Sequence, residues 1–218
     1  MTPETVEQTI RFIMSTRAEE TVSIGWFGGE PLLRPDVMDR ICRGLAEAGV
    51  GYKTSMISNG SLVTPEIVEK MTGSWNLRQI QVSMDGAEAD YIRRKRYYRD
   101  RDEYHTVLKG INLMAQAGIR VVIRCNVDEE NWPGVEMFVR DLAASIPVKD
   151  NVAIYFCPLN EARTEEHDLK IWKRIMAARS LVLQAGFRVG DSICGSGRFR
   201  KWNRQRESQL AGPGTGQP

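Results

Sequence analysis

Five apolar runs in this chain each carry or are followed by small polar residues of kinds that bind or transform ligands. Gly28-Gly29-Glu30-Pro31 follows the run Val22 to Phe27. Two adjacent glycines let a backbone come close to a ligand without a Cβ in the way, and Glu30 adds a carboxylate at the same place. Ser58-Asn59-Gly60 follows the second run and Ser83-Met84-Asp85-Gly86 the third. Arg124 and Asn126 lie within the fourth, and Pro158-Leu159-Asn160 closes the fifth. Asn59-Gly60 and Asp85-Gly86 are also strong turn dipeptides, because Asn and Asp bond their own backbone and Gly supplies positive φ. Arg124 and Asn126 alternate with Ile123, Cys125 and Val127, so they share one side of a strand. If that side faces a barrel lumen, the arginine calls for an anionic partner.

These clusters need a scaffold that gathers them, and the hydrophobic pattern supplies one. Helical spacing over Thr5 to Thr16 precedes the strand Val22 to Phe27. A helix over Pro35 to Ala48, ended by Gly49, leads into the strand Tyr52 to Ile57. Thr64-Pro65 reads as an N-cap followed by Pro at the first helical position. Strand Ile80 to Met84, helix Tyr104 to Ala117 closed by Gly118, and strand Val121 to Val127 come next. Helix Pro133 to Ala144, strand Val152 to Phe156 and helix Glu165 to Ala185, closed by Gly186, complete the series. The fold class expected is α/β, a partial TIM-like (β/α) barrel of five parallel strands with outer helices. Parallel strands place their carboxyl ends on one rim, so Glu30, Ser58, Asn59, Ser83, Asp85, Arg124 and Asn126 should share a mouth. The run Arg93-Arg94-Lys95-Arg96, with Arg99 and Arg101, reads as solvated helix surface beside Asp100, Asp102 and Glu103, the alternative being that one of these cations reaches the mouth and holds a carboxylate.

Composition narrows the classes. The 218 residues include 42% hydrophobic and 27% charged residues, with a formal charge of +2, ordinary for a globular protein and pointing to no polyanionic partner. No run suits a membrane span and no signal peptide opens the chain, so a cytoplasmic location is expected. Cys42, Cys125, Cys157 and Cys194 form no C-x-x-C pair, and the first three are expected to be buried free thiols. Residues 1–195 should form one domain, and residues 196–218, with Arg198, Arg200, Lys201, Arg204 and Arg206 before Gly212-Pro213-Gly214, a disordered basic tail. Phe199 and Trp202 interleave with those cations, but so short a segment after a composition break does not make nucleic acid an expected partner.

The order GGEP, SNG, S-x-DG and then R-x-N-V on successive strands resembles the radical S-adenosylmethionine (SAM) superfamily, closest to the SPASM-containing branch of peptide and sulfatase maturases. The resemblance covers residues 1 to 195. It implies that Gly28, Gly29 and Glu30 hold the amino group of SAM, and that Ser58 and Asn59 form the next SAM-facing turn. By the same resemblance, Ser83 and Asp85 lie near the ribose and carboxylate, while Arg124 and Asn126 approach the adenosine and substrate side. The family's basic residue after the third turn falls among Arg93, Arg94 and Lys95, with Arg94 the named candidate. The implied activity is SAM-dependent radical modification of a peptide or protein side chain, using a 4Fe-4S cluster. Such clusters are held by thiolates, which the family places in a C-x-x-x-C-x-x-C loop after its first strand. The sequence contains neither that loop nor that strand.

Met1 is therefore expected to be an internal start, giving an N-terminally truncated chain with no metal site and no SAM cleavage of its own. Cys194 resembles the opening of a SPASM domain. The alternative is a cluster-free subunit that binds a peptide or a complete partner through an open sheet edge. A phosphate-binding β/α enzyme is disfavoured, since Gly28-Gly29 lead into an acidic residue.

Overall fold

The computed structural model describes residues 1–17, 21–95, 103–159 and 165–190. Arg96, Arg99, Arg101, Asn160, Cys194 and the proposed tail lie outside them. Helix α1 (Pro3–Thr16) starts under a Thr2 cap, whose hydroxyl accepts from the Thr5 N–H. There follow β1 (Thr21–Trp26), α2 (Pro35–Glu47), β2 (Gly51–Ser58), α3 (Pro65–Thr72) and β3 (Leu77–Ser83). Next are α4 (Glu88–Lys95), α5 (Glu103–Gln116), β4 (Arg120–Val127), α6 (Val135–Ser145), β5 (Val152–Pro158), α7 (Glu165–Gln184) and β6 (Arg188–Val189). Short 3-10 turns stand at Pro31–Leu33 and Trp132–Gly134. Thr64 caps α3 as its sequence implies, accepting from the Ile67 N–H.

All neighbouring strands run parallel, in the order β1-β2-β3-β4-β5-β6. The architecture is the partial TIM-like α/β sheet expected, with one strand more than the five read from the pattern. That sixth strand is two residues long, too short to show a period, and exists because Ala153 and Ile154 of β5 offer it an edge.

Each central strand has two different faces. Ile80, Val82, Val121, Ile123, Cys125, Val127, Ile154 and Phe156 pack outward under the helices in the main core. The inner face carries a small separate cluster of Val122, Ala153 and Tyr155, with Cys157 beside it. Near-continuous apolar strands are what a sheet covered on both faces requires. Gly190, just after β6, approaches this inner cluster closely, since a Cβ there would stand 3.2 Å from Val122 and 3.3 Å from Ala153. At the β1 end, α1 packs on α2 and β1 through Val6, Ile10, Ile41 and Leu45. Gly44 makes that contact possible, because a Cβ would meet Ile10 Cδ1 at 2.6 Å.

Candidate functional site

The polar clusters that follow the strands stand at the carboxyl rim in two groups, each bonded within itself. In the first, the Glu30 carboxylate reaches from the β1 exit to the β2 exit. Its Oε1 accepts from the Ser58 hydroxyl at 2.8 Å and the Leu32 N–H at 3.1 Å, and its Oε2 accepts from the Asn59 N–H at 2.8 Å. Three donors use three of the roughly four acceptor positions of a carboxylate, leaving one for a further donor. Gly28 beside it has φ +148°, and a Cβ built at Gly28 or Gly29 would find nothing within 4 Å. This glycine pair thus borders open space. Asn59 bonds its own turn, accepting from the N–H and hydroxyl of Ser61, and the Gly60 N–H donates to Ser58 Oγ at 3.0 Å.

The second group joins the exits of β3, β4 and β5. Asp85 Oδ1 accepts from both the backbone N–H (3.0 Å) and the side-chain amide (2.8 Å) of Asn126. Asn126 Oδ1 accepts in turn from Arg124 Nε at 2.9 Å, and the Arg124 guanidinium reaches Cys157 Sγ at 3.4 Å. Ser83 stands opposite Arg124 in the β3–β4 register. Deeper on the same face, Tyr155 donates its hydroxyl to Gln81 Oε1 at 2.9 Å. Arg124 therefore does face inward, but its partners are a neutral amide and a thiol, and the carboxylate of Asp85 is reached only through Asn126. Cys42 and Cys125 are buried as expected, whereas Cys157 is half-buried on the inner side of the rim. Burial raises the Cys42 thiol to about 11 and pushes Cys125 well above the ordinary thiol range.

The three basic candidates of α4 separate by position. Arg93 is solvated, pairing with Asp90 and Glu130. Arg94 turns under the rim to Asp128 Oδ1, with both side chains 15% exposed. Lys95 stands 3.5 Å from Asp85 Oδ2. Burial works against the Asp128 charge, but the bonds from Arg94 and from the N–H groups of Asn131 and Glu130 outweigh it and hold this carboxyl below its usual range. The Arg94 guanidinium is stabilised by the same bond to Asp128, against a smaller opposing effect of burial. Asp128 and Asn131 stand outside the motifs legible in the sequence, and Cys157 there carries no sign of a place at the rim. The polar string Asp128-Glu129-Glu130-Asn131 after β4 was the available signal, of the same kind as the other exits.

A parallel α/β sheet with a polar carboxyl rim is the ground plan of enzymes that bind small ligands at strand ends. The family described as Radical SAM superfamily matches residues 1–142, and the chain belongs to that superfamily. Over 118 residues it is 34% identical to an AdoMet-dependent heme synthase of Methanosarcina barkeri (strain Fusaro / DSM 804), covering 52% of this chain and 32% of that protein. It is 38% identical over 117 residues to a GTP 3',8-cyclase of Xanthomonas axonopodis pv. citri (strain 306), covering 51% and 34%. In fold it is similar to native anSMEcpe with bound AdoMet, at TM-score 0.65 and 16% identity over 87% of this chain and 54% of that one. Streptococcus suis SuiB bound to S-adenosylmethionine gives TM-score 0.52 and 14% identity over 88% and 43%. The chain thus spans about a third of the two curated relatives and about half of the two solved structures.

Superfamily membership implies SAM and a 4Fe-4S cluster. Among the described residues no three His, Cys, Asp or Glu side chains converge as metal ligands would. Cys42 and Cys125 belong to the outer core, Cys157 to the inner rim. The described residues do not fit a thiolate-held cluster. Among them, no helix is long and apolar enough to cross a membrane.

Proposed function

We propose that the carboxyl rim is a SAM cradle, and that the protein to which it belongs modifies a peptide or protein side chain. Glu30 carries the proposal: its carboxylate is fixed by three donors beside a glycine pair that borders open space. In this reading the backbone of Gly28 and Gly29 and the remaining acceptor position of Glu30 take the ammonium of SAM. Ser58 and Asn59 hold Glu30 in place and form the second wall. Ser83 and Asp85 lie toward the ribose and carboxylate, with Asp85 oriented by Asn126. Arg124 and Asn126 line the adenosine and substrate side. Lys95, rather than Arg94, is the cation placed against Asp85. SAM would supply radical chemistry on otherwise unreactive C–H bonds only with an electron from a reduced cluster, which the described residues do not hold, and this chain's own contribution is to bind and orient SAM.

Support for a peptide substrate comes from the solved structures similar in fold, which include anSMEcpe with bound AdoMet and a Kp18Cys peptide and SuiB bound to precursor peptide SuiA. A second reading, a cluster-free subunit that binds a peptide or partner, is favoured by β1, which among the described residues pairs only with β2 and exposes Thr21, Ser23 and Gly25. Titration calorimetry with SAM tests the cradle. Glu30→Gln should weaken binding about 10- to 100-fold, the value of one charge-assisted hydrogen bond of about 1.5–3 kcal/mol. Equal affinities would overturn the assignment. Anaerobic addition of iron and sulfide, followed by desalting, should leave no iron on the chain, and stoichiometric retention would overturn the mismatch between its cysteines and a cluster.

A further inference from the structure

Asn131 is 1% exposed and sits just beyond β4, outside the strand-end motifs assigned to SAM above. Its Nδ2 group donates one N–H to the Asp85 carbonyl at 3.1 Å and the other to the Asn126 carbonyl at 2.9 Å. Its Oδ1 accepts from the Asp128 N–H at 3.0 Å, while its own N–H donates to Asp128 Oδ1 at 3.2 Å. A primary amide has two N–H donors and one carbonyl oxygen, so both donors and the oxygen are engaged here, each with a backbone group. The two carbonyls it joins belong to the two residues whose side chains bond each other, Asp85 and Asn126. The loop it anchors carries Asp128, the partner of Arg94. Gly86 and Gly134 keep the surroundings close. A Cβ on Gly86 would stand 3.7 Å from Asn131 Nδ2, and one on Gly134 would stand 2.9 Å from Asp90 Oδ2.

We infer that Asn131 is a positioning residue for the cradle. It fixes the separation of the β3 and β4 exits, and so aims the Asp85 carboxylate and the Asn126 amide at the ligand without touching it. The inference rests on the SAM reading above. The amino-terminal end of the sheet provides a matched control. Asn151, before β5, also shares its Nδ2 group between two backbone carbonyls, those of Ala115 and Ile119, both at 2.9 Å. Losing either amide removes a donor from two carbonyls, although Ala115 keeps the bond from the Gly118 N–H, and each buried group left without any partner costs about 1–3 kcal/mol.

The experiment compares Asn131→Ala, the milder Asn131→Ser and Asn151→Ala with the unaltered chain. It measures thermal stability, SAM affinity by calorimetry, and backbone hydrogen exchange at residues 84–87 and 126–131. The Asn131 variants should speed exchange in both rim segments and weaken SAM binding at least about 10-fold. Asn151→Ala should lower stability and leave both rim readouts unchanged. Unchanged exchange at the rim, or equal loss of affinity in the Asn151 variant, overturns the positioning role. If the unaltered chain binds no SAM, the cradle reading fails, and the exchange result alone still decides whether Asn131 sets the spacing of the exits.

Discussion

The two ends of the sheet are built on different principles. At the amino-terminal end three helix-to-strand turns repeat one design. In α2–β2 the Gly49 N–H donates to the Ala46 carbonyl and the Val50 N–H to that of Leu45. In α5–β4 Gly118 and Ile119 donate to Ala115 and Met114, and after α7 Gly186 and Phe187 donate to Leu183 and Val182. Each glycine has positive φ, +68°, +78° and +87°, and each turn is a Schellman cap with its hydrophobic contact. At the carboxyl rim no two exits are alike. Side chains there bond across loops far apart in sequence, as Glu30 does with Ser58 and Asp85 with Asn126. One end repeats local geometry that serves folding, and the other is assembled from singular long-range bonds, as a ligand site must be.

The contrast breaks most readily at Arg94. Arg94→Met would leave Asp128 without its partner under the rim, and since both side chains are mostly buried the loss should be about 3 kcal/mol, read by urea unfolding. The same pair gives the rim a pH signature. The Asp128 carboxyl is held below its ordinary value of 3.8, so its stabilisation is complete above that value and disappears as the pH falls through the lower folded value. Asp128→Asn should remove this part of the acid limb in a series of melting curves.

Gly60 and Gly118 sharpen the comparison, because both have φ +78°. At Gly60 a Cβ would also press on Val82 at 3.0 Å and Val107 at 3.2 Å, whereas at Gly118 it would meet nothing within 4 Å. Gly60→Ala should therefore cost about 2 kcal/mol and Gly118→Ala about 1 kcal/mol, the second being backbone strain alone. Equal losses would mean that the carboxyl rim yields more easily than its packing implies. The smallest effect belongs to Phe27, 74% exposed beside the glycine pair. Phe27→Ala should shift stability by less than about 0.5 kcal/mol.

Legibility in the sequence follows the same division. Gly49, Gly118 and Gly186 announce their turns because a Schellman cap is closed within six residues and needs only a glycine after an apolar helix. The strand ends and the residue types of the rim were legible for a similar reason, since strand direction alone brings them together. Partner choice was not. Glu30 lies 28 residues from Ser58, and Asp85 lies 41 from Asn126, so those bonds depend on register and loop shape. Helix α4 was legible only through its basic run, whose helical surface was expected, and not in its bounds of Glu88–Lys95. The choice between Arg94 and Lys95 turns on one residue, about 100° of rotation around a helix, which no composition argument resolves.

The Gly60 N–H bond to Ser58 Oγ bears on how the chain ages. Asn-Gly is the dipeptide most prone to deamidation, which needs the glycine nitrogen to attack the asparagine side chain. Here that nitrogen is held by Ser58 and the Asn59 carboxamide oxygen by Ser61. Peptide mass mapping after long storage should find Asn59 intact in folded material and converted to aspartate or isoaspartate in unfolded material.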